Sequence, residues 1–359
     1  MNSVCRIFMI QLIVVSTAFS VDTTQRLTSV NWGILSTAKI NDTFISGLRK
    51  SGRSSVVAVA SRSIDRARTY AQKQNIQKAY GSYEELLADP EVDVVYISLP
   101  NTLHAQWCIK AAEAKKHVLC EKPIALTMQE IDAIQKAAQE NNVTIFEGFA
   151  YLHHPQMVQI MEHIKAKKLG ILNHLSVCLS MTEEPDNIVW QPELGGGALW
   201  DLAVYCNSFI TTVNQGELPV EVFAQTAMSE TGVDSSITAQ LKFKEGFTAH
   251  ITSSLNTPFR QGAELIGSQA YITIPDPWRP GWDGQESSFS VVRDGGQEKI
   301  TSQPVDPFLC EVQAMERCIL EDAQPIVSLN ESRKFLCLSL ALRKSALLKE
   351  KIVIENQEL

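Results

Sequence analysis

The residues best placed to do chemistry lie around Lys122, which lies between Glu121 and Pro123, shortly after the apolar run 117–119. Proline fixes φ and lacks a backbone N–H, so it ends a strand and directs the chain that leaves it. This predicts that Lys122 lies at the carboxyl end of a strand, where ligands bind in open α/β sheets. An ammonium there can anchor a substrate oxygen and lower the pKa of a hydroxyl. The alternative is a surface Glu-Lys pair beside a turn.

A second candidate pair, Asp201 and Tyr205, follows the glycine run 195–197. A spacing of four residues predicts that both lie on one face of a helix. Oxidation of an alcohol requires removal of the hydroxyl proton as hydride leaves, and a tyrosine can take that proton if an ammonium lowers its pKa. Lys122 can supply the charge, and Asp201 can orient the substrate or the tyrosine. The alternative is a surface acid and a core tyrosine.

Strands and helices alternate from about residue 30 to residue 149, and they must position these groups. Apolar runs predict strands at 30–35, 55–60, 92–99, 118–120 and 144–149. Helical spacing and capping signals predict intervening helices that begin near Ile40, Asp65, Ser82, Leu103 and Thr127. This order predicts a doubly wound parallel sheet of the Rossmann type, with helices on both faces.

The pattern changes after about residue 151. Helices are predicted at 155–168, 198–213, 307–321 and 331–348. Strands are predicted near 172–181, 220–227, 236–243, 247–255, 262–267 and 270–274. A loop rich in proline and tryptophan, 275–284, interrupts the strands. The second part is therefore predicted to be an α+β domain with a large, mostly antiparallel sheet.

The turn after the first strand has the features of a dinucleotide site. Such a site needs a glycine for a tight turn, a small residue where the pyrophosphate approaches, and another where helix and strand pack. Gly33, Ser36 and Ala38 take these roles, with Thr37 between them. The following helix offers free N–H groups and a positive dipole end to phosphates. The alternative is an ordinary strand-to-helix turn.

The end of the second predicted strand favours NADP over NAD. An NAD site usually carries an Asp or Glu here for the ribose 2′-hydroxyl. This chain has Ser61 and Arg62, and the nearest acid, Asp65, lies further on. A hydroxyl and a planar guanidinium suit a 2′-phosphate.

Seven motifs occur in a characteristic order: WGILSTA at 32–38, AVASRS at 58–63, YGSYEEL at 80–86, PNTLH at 100–104, VLCEKP at 118–123, HPQ at 154–156 and GGGALWD at 195–201. On these motifs the chain, from Trp32 to Leu347, resembles the Gfo/Idh/MocA oxidoreductases. The resemblance is strongest to the branch of dimeric dihydrodiol dehydrogenases and NADP-dependent D-xylose dehydrogenases. Ser36, in place of a commoner glycine, and Leu152, in place of a frequent arginine, depart from the pattern and leave the substrate open.

The resemblance implies a role for each matching residue. Lys122 contacts the substrate hydroxyl, and Tyr205 is the acid/base with Asp201 beside it on the substrate side. Asn101 and His104 lie by the nicotinamide, on the loop after a strand. The residues assigned to cofactor binding are Gly33, Ser36, Thr37, Ala38, Ser61, Arg62, Asn101, His104 and Glu121.

The activity implied is NADP-dependent hydride transfer from a hydroxyl of a sugar or of a cyclic trans-dihydrodiol. An aldose such as D-xylose would give a lactone. The alternative is a non-catalytic NADP-binding sensor of the same fold. The joint presence of Lys122, Asp201 and Tyr205 argues against that alternative.

Composition limits the partners. The 359 residues include 32 basic and 40 acidic side chains, a net charge of −8, which disfavours nucleic acid and leaves a small-molecule substrate.

The eight cysteines are scattered without a C-x-x-C pair, which predicts buried, reduced thiols. His153 and His154 have no third ligand at suitable spacing, so no metal site is predicted. The second domain is expected to have a broad sheet face, and because such faces pair in the family that the chain resembles, the resemblance implies a homodimer.

The amino terminus resembles a secretory leader. Residues 1–20 carry one charge, Arg6, then an apolar stretch at 7–15 and small residues at 18–20. An uncleaved extension, or initiation at Met9, is the alternative, and the stretch is too short for a transmembrane helix. Unpaired cysteines and NADP favour the cytosol, whereas a leader favours export. We therefore expect an extension at 1–27, an NADP-binding domain at 28–150 and a substrate and dimerisation domain at 151–359.

Overall fold

The computed structural model describes residues 28–354, so the leader or extension expected at 1–27 lies outside the described residues. The first layer is a six-stranded sheet in the order β3-β2-β1-β4-β5-β6, parallel throughout. Its strands are β1 Val30–Leu35, β2 Ser54–Ala60, β3 Lys78–Tyr80, β4 Val94–Ile97, β5 His117–Glu121 and β6 Ile145–Gly148. The helices between them are α1 Ile40–Leu48, α2 Ile64–Gln74, α3 Tyr83–Leu87, α4 Asn101–Glu113 and α5 Met128–Asn141. The predicted doubly wound Rossmann sheet is confirmed.

Local sequence explains where these helices begin. Thr127 caps α5, its hydroxyl accepting from the Glu130 N–H while the Glu130 carboxylate accepts from the Thr127 N–H. Ser63 and Ser82 cap α2 and α3 in the same way through their hydroxyls. Each cap satisfies a backbone donor that the helix leaves free and contributes about 1 kcal/mol.

The order of the strands creates a crevice beside β1. β1 lies between β2 and β4, so the connections leave in opposite directions on its two sides, and ligands bind at this switch point. The carboxyl ends of β1 and β4 meet there, since the Ser36 hydroxyl lies 2.8 Å from the Ser98 hydroxyl. The loops after β1, β4 and β5 therefore open into one crevice.

The second layer is a nine-stranded sheet in the order β14-β13-β12-β11-β7-β10-β9-β8-β15. Its strands are β7 Leu172–Thr182, β8 Glu221–Met228, β9 Asp234–Lys242, β10 Thr248–Ser254, β11 Asn256–Gly267, β12 Tyr271–Ile274, β13 Ser287–Arg293, β14 Gly296–Ser302 and β15 Ile352–Val353. The remaining helices are α6 Pro155–Lys165, α7 Val204–Val213, α8 Pro307–Glu321 and α9 Leu329–Leu348. Every pair is antiparallel except β7 with β10, which confirms a mostly antiparallel sheet. β3, β13, β14 and β15 were not predicted.

One face of this sheet is buried and the other is exposed. Along β8, Val222 and Ala224 are buried while Phe223 and Gln225 are exposed, as a period of two requires. Helix α9 packs across β8 and also contacts α5 and β6, so it joins the two layers. No helix within residues 28–354 has the length and apolar content needed to span a bilayer.

Helix α8 returns to the first sheet, although it follows the second sheet in the chain. Phe308 and Met315 belong to the same apolar cluster as Trp32, Phe44 and Tyr96. Ion pairs from Lys50 to Asp306 and from Arg53 to Glu321 lie along the same boundary. The crevice beside β1 is therefore lined partly by residues beyond 300, among them Pro307 and Phe308.

Candidate active site

A cavity of about 340 Å³ lies where the crevice of the first sheet meets the second layer. This volume is at the lower end of the roughly 300–1,000 Å³ typical of small-molecule sites. The first sheet contributes Ser98, Leu99, Asn101, His104, Glu121 and Lys122. The second part of the chain contributes Asp201, Tyr205, Trp278, Arg279 and Trp282. The cavity therefore contains all three residues predicted to be catalytic.

Lys122 directly follows β5 and points into the cavity, and its peptide bond to Pro123 is cis. Its ammonium donates to the Asp201 carboxylate at 2.9 Å and to the Asp201 carbonyl at 2.7 Å. Burial opposes the charge, but Asp201 and Tyr205 raise the pKa of Lys122 above its ordinary value. Lys122 is therefore a charged, positioned cation with a side chain only 13% exposed, and a surface Glu-Lys pair does not describe it.

Asp201 and Tyr205 reach the cavity from two consecutive helical segments. Asp201 lies in a π-helical turn, Leu199–Ala203, and Tyr205 lies in the first turn of α7. The side chains of Asp201 and Tyr205 lie on the same side of these segments, as predicted, because both line the cavity. The ammonium of Lys122 lies 5.0 Å from the centre of the Tyr205 ring. Turns of the π type are frequent at functional sites.

The Tyr205 hydroxyl carries its proton at neutral pH in this arrangement. Burial raises the pKa of Tyr205 to about 12, while Lys122 lowers it and Glu121 and Asp201 raise it. The lowering expected from Lys122 is present, but burial outweighs it because Asp201 partly neutralises the ammonium. Within the described residues the hydroxyl has no hydrogen-bond partner. It can therefore bond to a ligand in the cavity, and it needs additional positive charge there to act as a base.

Glu121 lines the cavity next to Lys122, and a residue of the sheet core holds its carboxylate in place. The Tyr96 hydroxyl donates to the Glu121 carboxylate. Burial raises the pKa of Glu121, and the bond from Tyr96 and the charge of Lys122 oppose that rise. Tyr96 in turn stacks on Phe44, with ring centres 3.7 Å apart. Glu121 is therefore held by the core of the first sheet.

Glu147 supports the loop that carries Lys122. Its side chain is 3% exposed, and one carboxylate oxygen accepts from the Ile124 N–H at 2.9 Å. The Ser332 hydroxyl lies close enough to the carboxylate to lower its pKa. Burial raises the pKa of Glu147 to about 7, which the bond from Ile124 partly offsets. Glu147 therefore keeps its proton to a higher pH than an ordinary glutamate.

Glu147→Gln is expected to flatten the pH dependence of stability. The pKa of Glu147 is about 7 in the folded chain against 4.5 ordinarily, so the folded state binds this proton more tightly. The unfolding free energy of the wild type therefore falls as pH rises from about 4.5 to about 7, by roughly 2–3 kcal/mol. Glutamine is neutral throughout and retains an acceptor for Ile124. Urea unfolding at about pH 5 and about pH 8 measures the slope.

Glu140→Gln is the matched control, because Glu140 is exposed on α5 and pairs only with Lys136. It is expected to leave the slope unchanged. An unchanged slope in Glu147→Gln would show that Glu147 is ionised in the folded protein across this range.

Ser36 forms the turn between β1 and α1. Its φ is 123°, a conformation that favours glycine. Its hydroxyl donates to the Ser98 carbonyl at 3.1 Å and accepts from the Ala38 N–H at 3.1 Å. The Asn41 amide donates to the Ser36 carbonyl at 3.0 Å. These bonds hold in place a turn that the backbone alone would disfavour.

Gly33 does not form the tight turn that was predicted for it. It lies inside β1, paired with Ala58 on one side and Val95 on the other. A Cβ at Gly33 would lie 2.6 Å from a methyl carbon of Leu86, so glycine is needed for α3 to pack against the strand. The prediction was wrong because the spacing of small residues cannot show which one lies at the turn.

The remaining residues at this turn fit a dinucleotide. No side chain caps the amino terminus of α1, so the positive end of its dipole faces the segment from Ser36 to Ala38. Thr37 and Ala38 are half-buried, and Ala38 lines the cavity. Phosphates bind at helix amino termini of this kind.

Ser61 and Arg62 follow β2 at the outer edge of the same crevice. Ser61 is buried, and its N–H donates to the Tyr80 carbonyl at 3.2 Å. Arg62 is exposed and hydrogen-bonds to Tyr83. Its guanidinium is accessible at the position where a ribose phosphate would lie in a Rossmann site.

Asn101 and His104 lie in the first turn of α4, not on the loop before it, which corrects their predicted location. The Asn101 amide donates to the Gly195 carbonyl at 2.8 Å. The ring nitrogens of His104 lie 2.7 Å from the carbonyls of Pro123 and Leu99. Burial lowers the pKa of His104. His104 therefore ties the loop after β4 to the loop that carries Lys122, and both residues line the cavity.

Trp278 and Trp282, here called the aromatic wall, line the same cavity as Lys122 and were not predicted as site residues. Trp278, Arg279 and Trp282 line the cavity from the loop that interrupts the second sheet. The Trp278 indole donates to the Cys178 carbonyl at 3.0 Å, and its ring packs edge-on to Tyr151. Two tryptophans in an irregular loop were the available signal, because large aromatic side chains on a loop often contact a ligand.

Histidine and cysteine residues do not form a metal centre in the described part of the chain. His153 and His154 are buried, and burial lowers the pKa of both. Residues 28–354 contain no group of three His, Cys, Asp or Glu side chains that could hold an ion. The seven cysteines in this range are buried, as predicted.

The chain matches known proteins along most of its length. Residues 30–149 match the Gfo/Idh/MocA oxidoreductase family with an NAD-binding Rossmann fold, and residues 157–273 match the Gfo/Idh/MocA C-terminal domain. A trans-1,2-dihydrobenzene-1,2-diol dehydrogenase of Xenopus tropicalis is 30% identical over 85% of this chain and 94% of that protein. The D-xylose 1-dehydrogenase (NADP(+)) 2 of Haloferax volcanii is 32% identical over 84% of this chain and 92% of that protein.

Solved structures agree with this assignment. A 3-ketoreductase from Actinomadura kijaniata, crystallised with NADP and TDP-benzene, superposes with a TM-score of 0.82 at 25% identity. The match covers 88% of this chain and 98% of that one. An aldose-aldose oxidoreductase from Caulobacter crescentus shares the fold, with a TM-score of 0.82 at 22% identity. The chain therefore belongs to the Gfo/Idh/MocA family of oxidoreductases.

Proposed function

We propose that this oxidoreductase transfers a hydride to NADP from a ring hydroxyl of an aldose, giving a lactone, or of a cyclic trans-dihydrodiol. The observation that carries the proposal is the juxtaposition of Lys122, Asp201 and the unbonded Tyr205 hydroxyl in one cavity at the switch point of the Rossmann sheet. The names of the relatives from Xenopus tropicalis and Haloferax volcanii support these two substrate classes.

Each of the three residues has a distinct task. Lys122 donates to the substrate oxygen and stabilises the negative charge that develops there as its proton leaves. Tyr205 receives the hydroxyl proton, and returns it when the reaction runs towards reduction. Asp201 positions the Lys122 ammonium through the bond at 2.9 Å. Oxidised NADP, when bound, supplies the hydride-accepting carbon and a positive charge.

The aromatic wall positions the substrate ring and excludes water. Trp278 and Trp282 contribute aromatic surface to the cavity, which suits the C–H face of a sugar or the ring of a dihydrodiol. Met181 and Leu179 complete the apolar side of the cavity. A small, largely apolar site strengthens the interaction between Lys122 and the developing charge.

We propose that Ser36, Thr37, Ala38, Ser61, Arg62, Asn101, His104 and Glu121 form the NADP site, within a domain spanning 28–150 that α8 completes. Gly33 supports this site from inside β1, where the absence of a side chain lets Leu86 pack against the strand. In this assignment Ser36 to Ala38 face the pyrophosphate, and Arg62 faces the 2′-phosphate. Glu121, Asn101 and His104 lie on the nicotinamide side. Residues 151–359 then supply the substrate side and the dimer contacts.

Arg62→Ala is expected to raise the Kd for NADP about 10–100-fold and to leave the Kd for NAD nearly unchanged, because a charge-assisted bond to a phosphate contributes about 1.5–3 kcal/mol. Fluorescence titration with both cofactors measures the effect. Arg66→Ala is the control, because Arg66 is an exposed arginine in the first turn of α2. An equal loss for NAD and NADP would place Arg62 away from the 2′-phosphate.

A non-catalytic sensor of the same fold is the competing function. The two are separated by screening aldoses and cyclic diols for NADPH formation at about 340 nm, with NADP and NAD in parallel. We expect turnover of at least one neutral or acidic ring substrate with NADP. Tight NADP binding without turnover of any of them would favour the sensor.

We propose that the chain forms a homodimer through the exposed face of the nine-stranded sheet. That face carries Phe223, Ile266 and Tyr271, which are 37%, 37% and 40% exposed. Exposed apolar side chains on a broad face are typical of an interface. Sedimentation at micromolar concentration is expected to give twice the chain mass of 39.8 kDa. A monomer under these conditions would contradict the proposal.

A further inference from the structure

Arg279 is a cation in the candidate active site that the mechanism does not use. It lines the cavity from the loop that carries Trp278 and Trp282. Its guanidinium carbon lies 5.1 Å from the ring centre of Phe259 and 5.1 Å from that of Trp282. Its backbone carbonyl accepts from the Trp282 N–H at 3.2 Å, and among the described side chains its guanidinium has no ion pair or hydrogen bond beyond these ring contacts. Stacking occupies the faces of a guanidinium and leaves its N–H edges available.

The other charged side chains that line the cavity already have partners within the protein. Lys122 is paired with Asp201, and Glu121 accepts a bond from Tyr96. Among the described residues that line the cavity, Arg279 is therefore the one cation whose side chain has no ion pair or hydrogen bond. A neutral sugar would offer this partly buried guanidinium only hydroxyl oxygens, whereas a charged acceptor forms the stronger, charge-assisted bond.

We propose that Arg279 recognises a carboxylate on the substrate, so that the preferred substrate is a sugar acid in ring form, such as a hexuronate. This inference rests on the proposed function and specifies its substrate class. The carboxylate bonds to the N–H edge of Arg279, while the ring hydroxyl at the other end of the substrate bonds to Lys122 and Tyr205. The two anchors fix the ring between them, against Trp278.

A carboxylate fits this site better than a phosphate. The planar fork of an arginine matches the two oxygens of a carboxylate, and one cation balances one negative charge. A phosphate dianion would place a second charge near Glu183, whose carboxylate is held by the Asn187 amide at 2.6 Å. Arg279 and Lys122 are the charges that lower the pKa of Glu183, against burial and Asp201, which raise it. Glu183 therefore lies within electrostatic range and opposes additional negative charge.

The reaction itself is unchanged by the carboxylate. The C–H bond of the hydroxyl-bearing carbon breaks, and its electron pair leaves with hydrogen as hydride to oxidised NADP. The O–H proton passes to Tyr205, and a C=O bond forms. A uronate oxidised at its anomeric carbon gives a lactone acid, NADPH and one proton.

The test compares D-glucuronate and D-galacturonate with D-glucose, D-xylose and D-glucose 6-phosphate, using the full chain with NADP. We expect wild-type kcat/KM to be at least about tenfold higher for the uronates, since a charge-assisted bond adds to binding. In Arg279→Met the ratio of uronate to xylose kcat/KM is expected to fall about 10–100-fold, mostly through KM. Arg279→Lys keeps the charge but loses the planar pair of N–H donors. Its ratio of uronate to xylose kcat/KM is expected to lie between those of the wild type and Arg279→Met.

Arg293→Met is the matched control, because Arg293 lies on β13 and pairs only with Glu298 at 3.6 Å. It is expected to keep the wild-type ratio. A preference for neutral sugars or for the sugar phosphate, or an equal loss for xylose and uronate in Arg279→Met, would overturn the inference.

A binding measurement separates this inference from the proposed function. Glucuronate is titrated into the NADPH-loaded protein and followed by the fluorescence of the tryptophans beside Arg279. We expect saturable binding in the wild type and at least about tenfold weaker binding in Arg279→Met. Loss of binding in the variant, without turnover of any alcohol by the wild type, would support the anion site and contradict the oxidoreductase proposal. Turnover of neutral sugars without uronate binding would contradict the anion site alone.

Discussion

Replacing Lys122 with methionine is expected to lower kcat for alcohol oxidation roughly 10²–10⁴-fold, because positioned charge and proton-transfer groups contribute on this scale. Methionine keeps the apolar stem of the side chain and removes the ammonium that lies 2.9 Å from Asp201 and 5.0 Å from the Tyr205 ring. Without that charge the pKa of Tyr205 rises further, since Lys122 is the group that lowers it. NADP binding is expected to persist, because the residues at the phosphate end of the crevice are untouched. Stopped-flow reduction of NADP measures the chemical step.

The change also leaves Asp201 without its partner, so stability needs its own measurement. A loss of about 1–3 kcal/mol is expected from the unpaired acid. Lys110→Met is the matched control, because Lys110 lies on the surface of α4 and pairs with Glu84 at 2.7 Å. Wild-type kcat in folded Lys122→Met would remove Lys122 from the mechanism.

Tyr205→Phe is the second large effect, and we expect kcat to fall roughly 10²–10⁴-fold with KM changed less. Phenylalanine keeps the ring packing against Phe149 and Trp278 and removes only the hydroxyl. Tyr271→Phe is the matched control, because Tyr271 lies on the exposed face of β12, outside the cavity, and the change keeps its ring for the proposed dimer contact. It is expected to leave kcat unchanged.

The pH profile distinguishes a proton-transfer role for Tyr205 from a structural one. Burial raises the pKa of Tyr205 to about 12, so the deprotonated form is scarce at neutral pH. Oxidation requires that form, so kcat/KM is expected to increase by up to about tenfold per pH unit between pH 7 and 10 until another step limits the rate. The reverse reduction requires the protonated form and is expected to stay level over this range. Retention of the rise in Tyr205→Phe would assign the titration to another group.

The elements of the first sheet could be predicted because local signals agree there. The buried strand Val94–Ile97 is a continuous apolar run, and Thr127 with Glu130 forms the capping box that its spacing indicated. The placement of Lys122 followed from the proline after it and from the alternation of strands and helices. The family resemblance added the pairing of Lys122 with Asp201 and Tyr205, which lie about 80 positions further along the chain.

Features that depend on long-range packing could not be predicted. Ser36 adopts a positive φ because Ser98 and Asn41 bond to it, and neither contact is visible in the local sequence. Helix α8 packs on the first sheet after the chain has completed the second, which no periodicity indicates. The net pKa of Tyr205 depends on how completely the cavity is buried, so the charge of Lys122 alone gave too simple an expectation.

Some missed elements did carry a usable signal. In β13, Phe289 and Val291 alternate with serines, and their side chains are buried as that period requires. Its partner β14 is mostly polar and exposed, so its sequence resembles a loop. The strand β3 has three residues, too few to establish a period.

The most direct test of the central claim follows the transferred hydrogen. An aldose or uronate deuterated at its anomeric carbon is incubated with the protein and oxidised NADP, and the nicotinamide product is analysed by mass spectrometry. The account predicts that deuterium moves to the reduced nicotinamide in the wild type, and that this transfer falls roughly 10²–10⁴-fold in Lys122→Met and Tyr205→Phe while NADP remains bound. Undiminished transfer in either variant, or reduced NADP that contains no deuterium, would contradict it.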